Sequence, residues 1–371
     1  MTPVAKKRFH ASLLGWFDAH RRSMPWRDTA DPFAIWVSEV MLQQTRVEAV
    51  IPYFLRFMAA FPTPAALARA DSFDVLKQWE GLGYYARARN LQKAARRVMD
   101  EWGGEVPVDR AIFRSLPGVG PYIEAAVGSI AFGVPVAAVD GNVKRVIARL
   151  LKMEVPVNGP RAHAAFAAPA DDLLCRARPG DWNQAMMELG ARICTPRHPD
   201  CGRCPAAAFC IARKESCTDR LPVRLRKKRP PVRRVAVGAV IRGNRLLICR
   251  RPETGLLGGL WELPGGTIEK GELASGACVR EIREEVNLRV EPVCHLASVR
   301  HAYTHFTAAI DVFVCRVVSG RVRLRGPTDF AWIQPSRWVQ YPFPGANRLF
   351  MPTLMAYFET QNTKQNDYQR R

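Results

Sequence analysis

The sequence predicts a multidomain chain in which an all-α domain comes first and an α+β domain follows it. Three observations carry this reading. Apolar residues recur at helical spacing from about 9 to 190. Four cysteines crowd into 194–210. Beyond a basic stretch, the pattern changes to short alternating apolar and polar segments that read as strands. At 371 residues the chain also exceeds one ordinary core, which takes roughly 150 residues per domain.

In the first domain the helical pattern is punctuated by Phe61-Pro62-Thr63-Pro64 and Leu116-Pro117-Gly118, where proline and glycine interrupt the backbone ladder. The polar stretch 218–234 contains Arg226-Lys227-Lys228-Arg229-Pro230-Pro231 and has the composition of a linker. Strands are expected at 235–241 and 245–249, and a helix at 273–286. The residues from 359 onward are polar and are expected as a disordered tail. The expected divisions are therefore 1–217, 218–234, 235–358 and 359–371, without internal repeats.

Lys and Arg number 55 against 34 Asp and Glu, and the resulting +21 calls for a polyanionic partner, nucleic acid first. Residues 1–22 lack the uninterrupted apolar stretch of a signal peptide. The longest apolar run, 125–139, is too short to span a bilayer and is broken by Gly133 and Pro135. A cytoplasmic monomer with no membrane role is expected. In such a reducing compartment, clustered cysteines read as metal ligands rather than disulfides.

Cys194, Cys201, Cys204 and Cys210 have six, two and five residues between them, so one compact loop can set four thiolates around one small object. Four-cysteine zinc sites usually show two Cys-x-x-Cys pairs, whereas one such pair exists here, and a 4Fe-4S cluster fits better. The Pro, Arg and Asp residues between the cysteines cannot form an apolar core. Cys217 lies nearby outside the pattern, which leaves open which cysteine takes the last corner. Arg192, Arg197, His198 and Arg203 decorate the loop, and this suits a structural cluster behind a phosphate-facing surface better than redox chemistry.

Gly118 and Gly120, in Leu116-Pro117-Gly118-Val119-Gly120, permit a tight turn that offers backbone amides to a phosphate beside the next helix. Read alone, the turn is more often a plain helix connector. Glu39 falls on the helical stripe shared by Ile35 and Leu42, where partial burial raises a carboxyl pKa and favours the protonated acid. A structural glutamate bridging helices is the bland alternative. Asp140 precedes a helical segment and so reads as an N-cap, a job compatible with chemistry.

The cysteine spacing, and the Pro-Gly-x-Gly turn ahead of Pro121-Tyr122 and Val139-Asp140-Gly141-Asn142-Val143, resemble the helix-hairpin-helix, endonuclease III superfamily of DNA glycosylases. Ser38-Glu39-Val40-Met41-Leu42-Gln43-Gln44-Thr45 and the Asp140 segment look like the two active-site segments of its MutY family, adenine DNA glycosylases. The resemblance spans about 16–350. It implies excision of adenine mispaired with 8-oxoguanine, or with guanine, in duplex DNA. Glu39 would protonate the adenine ring nitrogen, Asp140 would stabilise the cationic sugar, and Asn142 would support Asp140 or merely complete the helix cap.

Bifunctional relatives carry a lysine where this chain has Tyr122, and a phenol forms no Schiff base, so hydrolysis with little or no strand cleavage is expected. The other reading of Tyr122 is a residue packed on the hairpin. The buried base must be flipped out. The resemblance implies Gln43, Gln44 and Tyr84 around the lesion pair and Trp26, Arg27 and Gln184 in the adenine pocket, while Arg87 and Arg89 are expected at phosphates by their charge. On residue type alone, Trp26, Arg27 and Gln184 are equally core or surface.

Residues 266–288 read G-x5-E-x7-R-E-I-x-E-E-x-N-L, which departs from the Nudix box at Asn287, where glycine is usual. Glu281, Glu284 and Glu285 fall at i, i+3 and i+4, so a helix presents them on one face as Mg²⁺ ligands. Asn can replace Gly in a left-handed helix cap. The full expected fold is thus an all-α helix-hairpin-helix glycosylase domain with an iron–sulfur loop, followed by an α+β Nudix-like domain. In the MutY family this second domain recognises 8-oxoguanine, and His301-Ala302-Tyr303-Thr304-His305 matches the family's Phe-Ser-His loop, with Thr304 keeping the hydroxyl and His305 the imidazole. A strand-end turn is the bland reading of that loop. Two rival functions stay open: a Nudix pyrophosphohydrolase for 8-oxo-dGTP tethered to DNA, and a non-catalytic damage-binding module.

Overall fold

Capping chemistry sets the helix starts. Thr2 accepts from Ala5 N–H ahead of Pro3, and Asp31 accepts from Phe33 and Ala34 N–H ahead of Pro32, each proline standing where no helical N–H bond is needed. The computed structural model describes residues 1–226 and 229–369. Lys227 and Lys228 of the expected linker, and Arg370 and Arg371 of the expected tail, lie outside the described residues.

In chain order the helices are α1 (Pro3–His20), α2 (Pro32–Leu42), α3 (Val47–Ala60), α4 (Pro64–Arg69), α5 (Ser72–Trp79), α6 (Ala86–Trp102), α7 (Arg110–Ser115), α8 (Pro121–Phe132), α9 (Gly141–Leu150), α10 (Ala162–Leu173), α11 (Pro179–Arg192) and α12 (Ile211–Lys214). The chain divides into two compact units, Met1–Arg69 with Asn90–Lys227, and Ala70–Arg89 with Lys228–Arg371. The second unit thus borrows α5 and the first turn of α6 from the sequence region expected to be wholly part of the first.

In the first unit, Phe9, Leu13 and Phe17 of α1 pack with Val143 and Ile147 of α9 and with Trp182, Met186 and Leu189 of α11. Phe9 meets Trp182 edge to face at 5.2 Å. Every residue of helix α2 from Phe33 to Met41 is buried, its one carboxylate, Glu39, included. α9 and α11 approach closely at Gly190, where an added Cβ would stand 2.6 Å from Asn142 Cβ.

The second unit contains β1 (Val232–Arg242), β2 (Arg245–Arg250), β3 (Trp261–Glu262), β4 (Gly265–Thr267), α13 (Ala274–Val286), β5 (Arg289–Ala302), β6 (Thr307–Ser319), β7 (Asp329–Ile333) and α14 (Gly345–Gln369). Its mixed sheet runs β3-β2-β1-β6-β5, with β4 on β1 and β7 on β2. β1 and β6 are parallel, from Val232↔Thr307 to Ile241↔Arg316, and the other pairs are antiparallel. Ala236 and Val240 face Cys278, Ile282 and Val286 of α13, whereas Val237 and Ala239 share the opposite core with Phe350 and Leu354 of α14. Alternate residues of one strand therefore feed two helical layers.

Asn287 closes α13 at φ 60°, the left-handed cap expected of an asparagine in glycine's place. Helix α14 runs on to Gln369, into the segment expected as a tail, because neither proline nor glycine interrupts it after Pro352. The 70–89 segment is stitched in by Arg250 to Ser72 Oγ at 3.1 Å, Lys77 to the Tyr341 carbonyl at 3.2 Å and Phe343 N–H to Glu80 at 3.0 Å.

Candidate active site

One cavity of about 410 Å³ in the first unit is lined by Glu39, Tyr122, Asp140 and Asn142, together with Trp26, Arg27 and Gln184. These are residues from four separate stretches of sequence, and the volume lies within the usual range for small-molecule pockets.

Glu39 is 5 % exposed, and burial drives its carboxyl up to about 7. The Tyr122 hydroxyl donates to its Oε2 and pulls the other way; the Asp140 charge raises it further, and Arg27 lowers it. Tyr122 also lies 3.3 Å from Met187 Sδ, and burial followed by the two carboxylates keeps its phenol protonated well above the ordinary range.

Asp140 is the N-cap of α9: its Oδ1 accepts from Val143 N–H at 2.7 Å and its Oδ2 from Asn142 Nδ2 at 2.9 Å. Burial raises its pKa against these bonds and the Arg145 charge. The carboxylate that caps α9 thus also lines the cavity. Asn142 is held in turn by Arg145 Nη2 at 2.8 Å, and the same guanidinium donates to the carbonyls of Gly190 and Cys194, each at 2.7 Å.

Four residues on this framework escaped the sequence reading. Arg22, Arg145, Arg149 and Glu188 lack any local signal beyond helical spacing. The one available clue was that Gln184, Met187, Glu188 and Ala191 fall at i, i+3, i+4 and i+7, and all four line the cavity.

The hairpin joins α7 to α8 through Gly118, at φ 80°, where an added Cβ would stand 2.8 Å from Asn90 Cβ. Gly120 is the N-cap of α8 with extended backbone. Gln43 ends α2 and Gln44 follows it at φ 60°, neither among the cavity's lining residues. In the second unit the Thr304 hydroxyl donates to the Tyr84 hydroxyl at 3.0 Å, and Thr304 and His305 are exposed. Arg89 is engaged within that unit by the Gly258 carbonyl at 2.8 Å, and Arg87 lies over the Trp79 ring.

The Cys194, Cys201, Cys204 and Cys210 side chains line a second cavity together with Arg149, and all four are free thiols. Cys217 is buried in a separate apolar group with Ala212 and Leu221 and does not line it. Arg149, 1 % exposed, donates to Cys194 Sγ at 3.3 Å and to the Thr195 carbonyl at 2.7 Å. Burial pushes the Cys204 thiol up to about 12 and raises Cys210 as well, so these two would ligate as thiolates only beside a cationic group. The donor set thus fits an iron–sulfur cluster in kind and in convergence, and among the described residues no three side chains group closely enough for a single metal ion.

On α13 the acidic face is engaged otherwise than as an open metal site. Arg280 donates to Glu281 at 3.0 Å, to Glu284 at 3.1 Å and to Glu272 at 2.9 Å, while Glu285 accepts from Gly265 N–H at 3.1 Å. Among the described residues, no helix is long and apolar enough to cross a membrane.

Comparison with known proteins follows the same division. Residues 37–157 match the model of the HhH-GPD superfamily base excision DNA repair protein, and 236–352 match the NUDIX domain. The human adenine DNA glycosylase is 34 % identical over 388 residues, covering 89 % of this chain and 70 % of its own length. The chain belongs to the adenine DNA glycosylase family. The rat member of that family is 34 % identical over 389 residues, covering 90 % of this chain and 74 % of its own. A solved thermostable thymine-DNA glycosylase superposes with a TM-score of 0.53 at 32 % identity, over 58 % of this chain and all of that one. As a member of the adenine DNA glycosylase family, the protein is an enzyme, a DNA N-glycosylase, with a helical repair domain ahead of a Nudix-like one.

Proposed function

We propose that the protein excises adenine paired with 8-oxoguanine, or with guanine, from duplex DNA by hydrolysis, using Glu39 as the acid and Asp140 as the anion that stabilises the sugar cation. The observation that carries the reading is the meeting of Glu39, Tyr122 and Asp140 in one cavity, with burial driving Glu39 up to about 7 and Asp140 held by bonds from Val143 N–H and Asn142.

With a pKa of about 7, Glu39 is substantially protonated near neutrality. Tyr122 occupies Oε2, which leaves Oε1 to carry the proton to a ring nitrogen of the flipped adenine. As the glycosidic bond lengthens, positive charge grows on the sugar. Asp140, fixed by Val143 and Asn142, supplies the fixed negative charge that this state needs. Water then completes the hydrolysis. The Tyr122 phenol forms no imine, so abasic DNA is released uncut.

Duplex binding falls to the +21 chain, with the Gly118–Gly120 turn at a phosphate and Gln43, Gln44 and Tyr84 around the emptied stack. Thr304 and His305 read the oxidised guanine. Cys194, Cys201, Cys204 and Cys210 hold a 4Fe-4S cluster. Such a cluster supplies structural cross-linking of the 194–210 loop, while Arg145 and Arg149 tie that loop to α9.

The test is single-turnover adenine release from 8-oxoguanine:adenine and guanine:adenine duplexes, with hot alkali revealing abasic sites. Wild type should release adenine without cutting the strand, and Glu39→Gln and Asp140→Asn should each lose about a thousandfold or more. Undiminished release in either variant overturns the assignment.

A further inference from the structure

The cavity wall contains a buried anion to which the reaction above gives no part. Glu188 lies on α11, 2 % exposed, and three arginines converge on it. Arg22 grips it with two bonds, Nε to Oε1 at 2.7 Å and Nη2 to Oε2 at 3.0 Å; Arg27 Nη2 reaches Oε2 at 3.1 Å, and Arg192 stands 3.6 Å from Oε1. Burial alone raises a carboxyl, but here the Arg22 bonds and the Arg27 and Arg22 charges outweigh it and hold Glu188 below the ordinary range. Removing this anion would leave the nearly buried Arg27 cation without its carboxylate partner.

We propose that Glu188 is a positioning residue for adenine release, acting through Arg27. The guanidinium of Arg27 is fixed on three sides: Nη2 by Glu188, Nη1 by the Arg22 carbonyl at 3.0 Å and Nε by Gln184 Oε1 at 2.9 Å. The last bond commits the Gln184 carbonyl oxygen to Arg27; its amide NH₂ donates one hydrogen to the Gly180 carbonyl at 3.4 Å, which leaves the second to meet an acceptor atom of the base. Glu188 therefore fixes one arginine and, through it, the donor orientation of one amide in the purine cavity.

It also sets the charge that faces Glu39. Tyr122 of α8, Asp140 at the start of α9, Arg27 of the connector before α2, and Arg22, Arg46, Glu48 and Glu188 all line the same cavity. Of the cations, Arg27 is the one that acts on the Glu39 carboxyl, lowering it. With Glu188 in place the Arg27 charge is matched; without it, the same charge bears on Glu39 unopposed and promotes early loss of the acid proton.

This inference rests on Glu39 being the acid, and the experiment separates the two. Single-turnover adenine release is followed against pH in wild type, Glu188→Gln, Glu188→Asp, Arg27→Leu and the Arg27→Leu/Glu188→Gln pair, with Glu39→Gln as the check on the acid. Glu188→Gln should lose about tenfold or more at pH 7.5, with its alkaline limb moved to lower pH, and Glu188→Asp, which keeps the charge, should restore the limb. In the Arg27→Leu background, Glu188→Gln should cost less than about twofold further, because the two act as one unit. Independent, multiplying losses, or a Glu188→Gln limb superimposed on wild type, would overturn the role of Glu188. Undiminished release by Glu39→Gln would instead overturn the acid assignment, while the Arg27–Glu188 coupling is still read from the rates.

Discussion

Tyr122 donates a hydrogen bond to Glu39 Oε2, and that bond opposes the burial that drives the Glu39 carboxyl up to about 7. Burial has the larger influence, Tyr122 the next. Tyr122→Phe should therefore raise the Glu39 pKa and carry the alkaline limb of the pH–rate profile to higher pH. Above the limb, release should fall about tenfold per pH unit in both proteins. A limb that stays in place or moves to lower pH in the variant would show that the hydroxyl does not bear on the acid.

The same carboxyl ties stability to pH with a definite sign. Its folded pKa, about 7, lies above the reference 4.5, so the folded state binds the proton more tightly than the unfolded one. The contribution is complete below pH 4.5, drains away as pH rises through 7 and is absent above it. For this buried group the difference is on the order of 3 kcal/mol. Glu39→Gln should accordingly melt higher than wild type at pH 8 and similarly at pH 4.5, measured by thermal unfolding under both conditions. Equal melting temperatures at pH 8 would contradict the burial argument.

Asp140 serves as cap and as anion, and two substitutions pull these roles apart. Asparagine caps a helix about as well as aspartate but carries no charge, so Asp140→Asn should keep stability within about 0.5 kcal/mol while release collapses. Asp140→Ala loses the bond to Val143 N–H as well and should cost about 1 kcal/mol more. Denaturant unfolding beside single-turnover assays reads both. If both variants lost stability equally, the capping role would be refuted.

The division into helical and mixed-sheet regions could be read from the sequence because periodicity and cap residues are local properties. Asp140 before α9 and Asn287 after α13 are examples. Local signals could not assign 70–89 to the second unit, because α5 is patterned like its neighbours and joins that unit only through partners such as Tyr341 and Phe343, far along the chain. Glu188 was illegible for the same reason: it looks like an ordinary helix glutamate until Arg22, 166 positions away, arrives beside it. The acidic spacing of α13 was read correctly as one helical face, but the spacing is silent about Arg280, which engages that face.

Close approach of α9 and α11 gives the last expectation. At Gly190 an added Cβ would meet Asn142 Cβ at 2.6 Å and Asn142 Cα and carbonyl oxygen at 3.1 Å, and backbone atoms cannot swing aside as a side-chain tip can. Gly190→Ala must therefore push the two helices apart at the residue that supports Asp140, at a cost of about 1–3 kcal/mol. Release should fall with it, because Asn142 would no longer hold the Asp140 carboxylate. Gly15→Ala supplies the contrast: α1 leaves open space at that position, so the same chemical change should stabilise by about 0.5–1 kcal/mol and leave the rate alone. Unfolding and single-turnover release measured on the pair decide the matter, and a Gly190→Ala protein as stable and as fast as Gly15→Ala would mean that the packing between α9 and α11 does not hold the site.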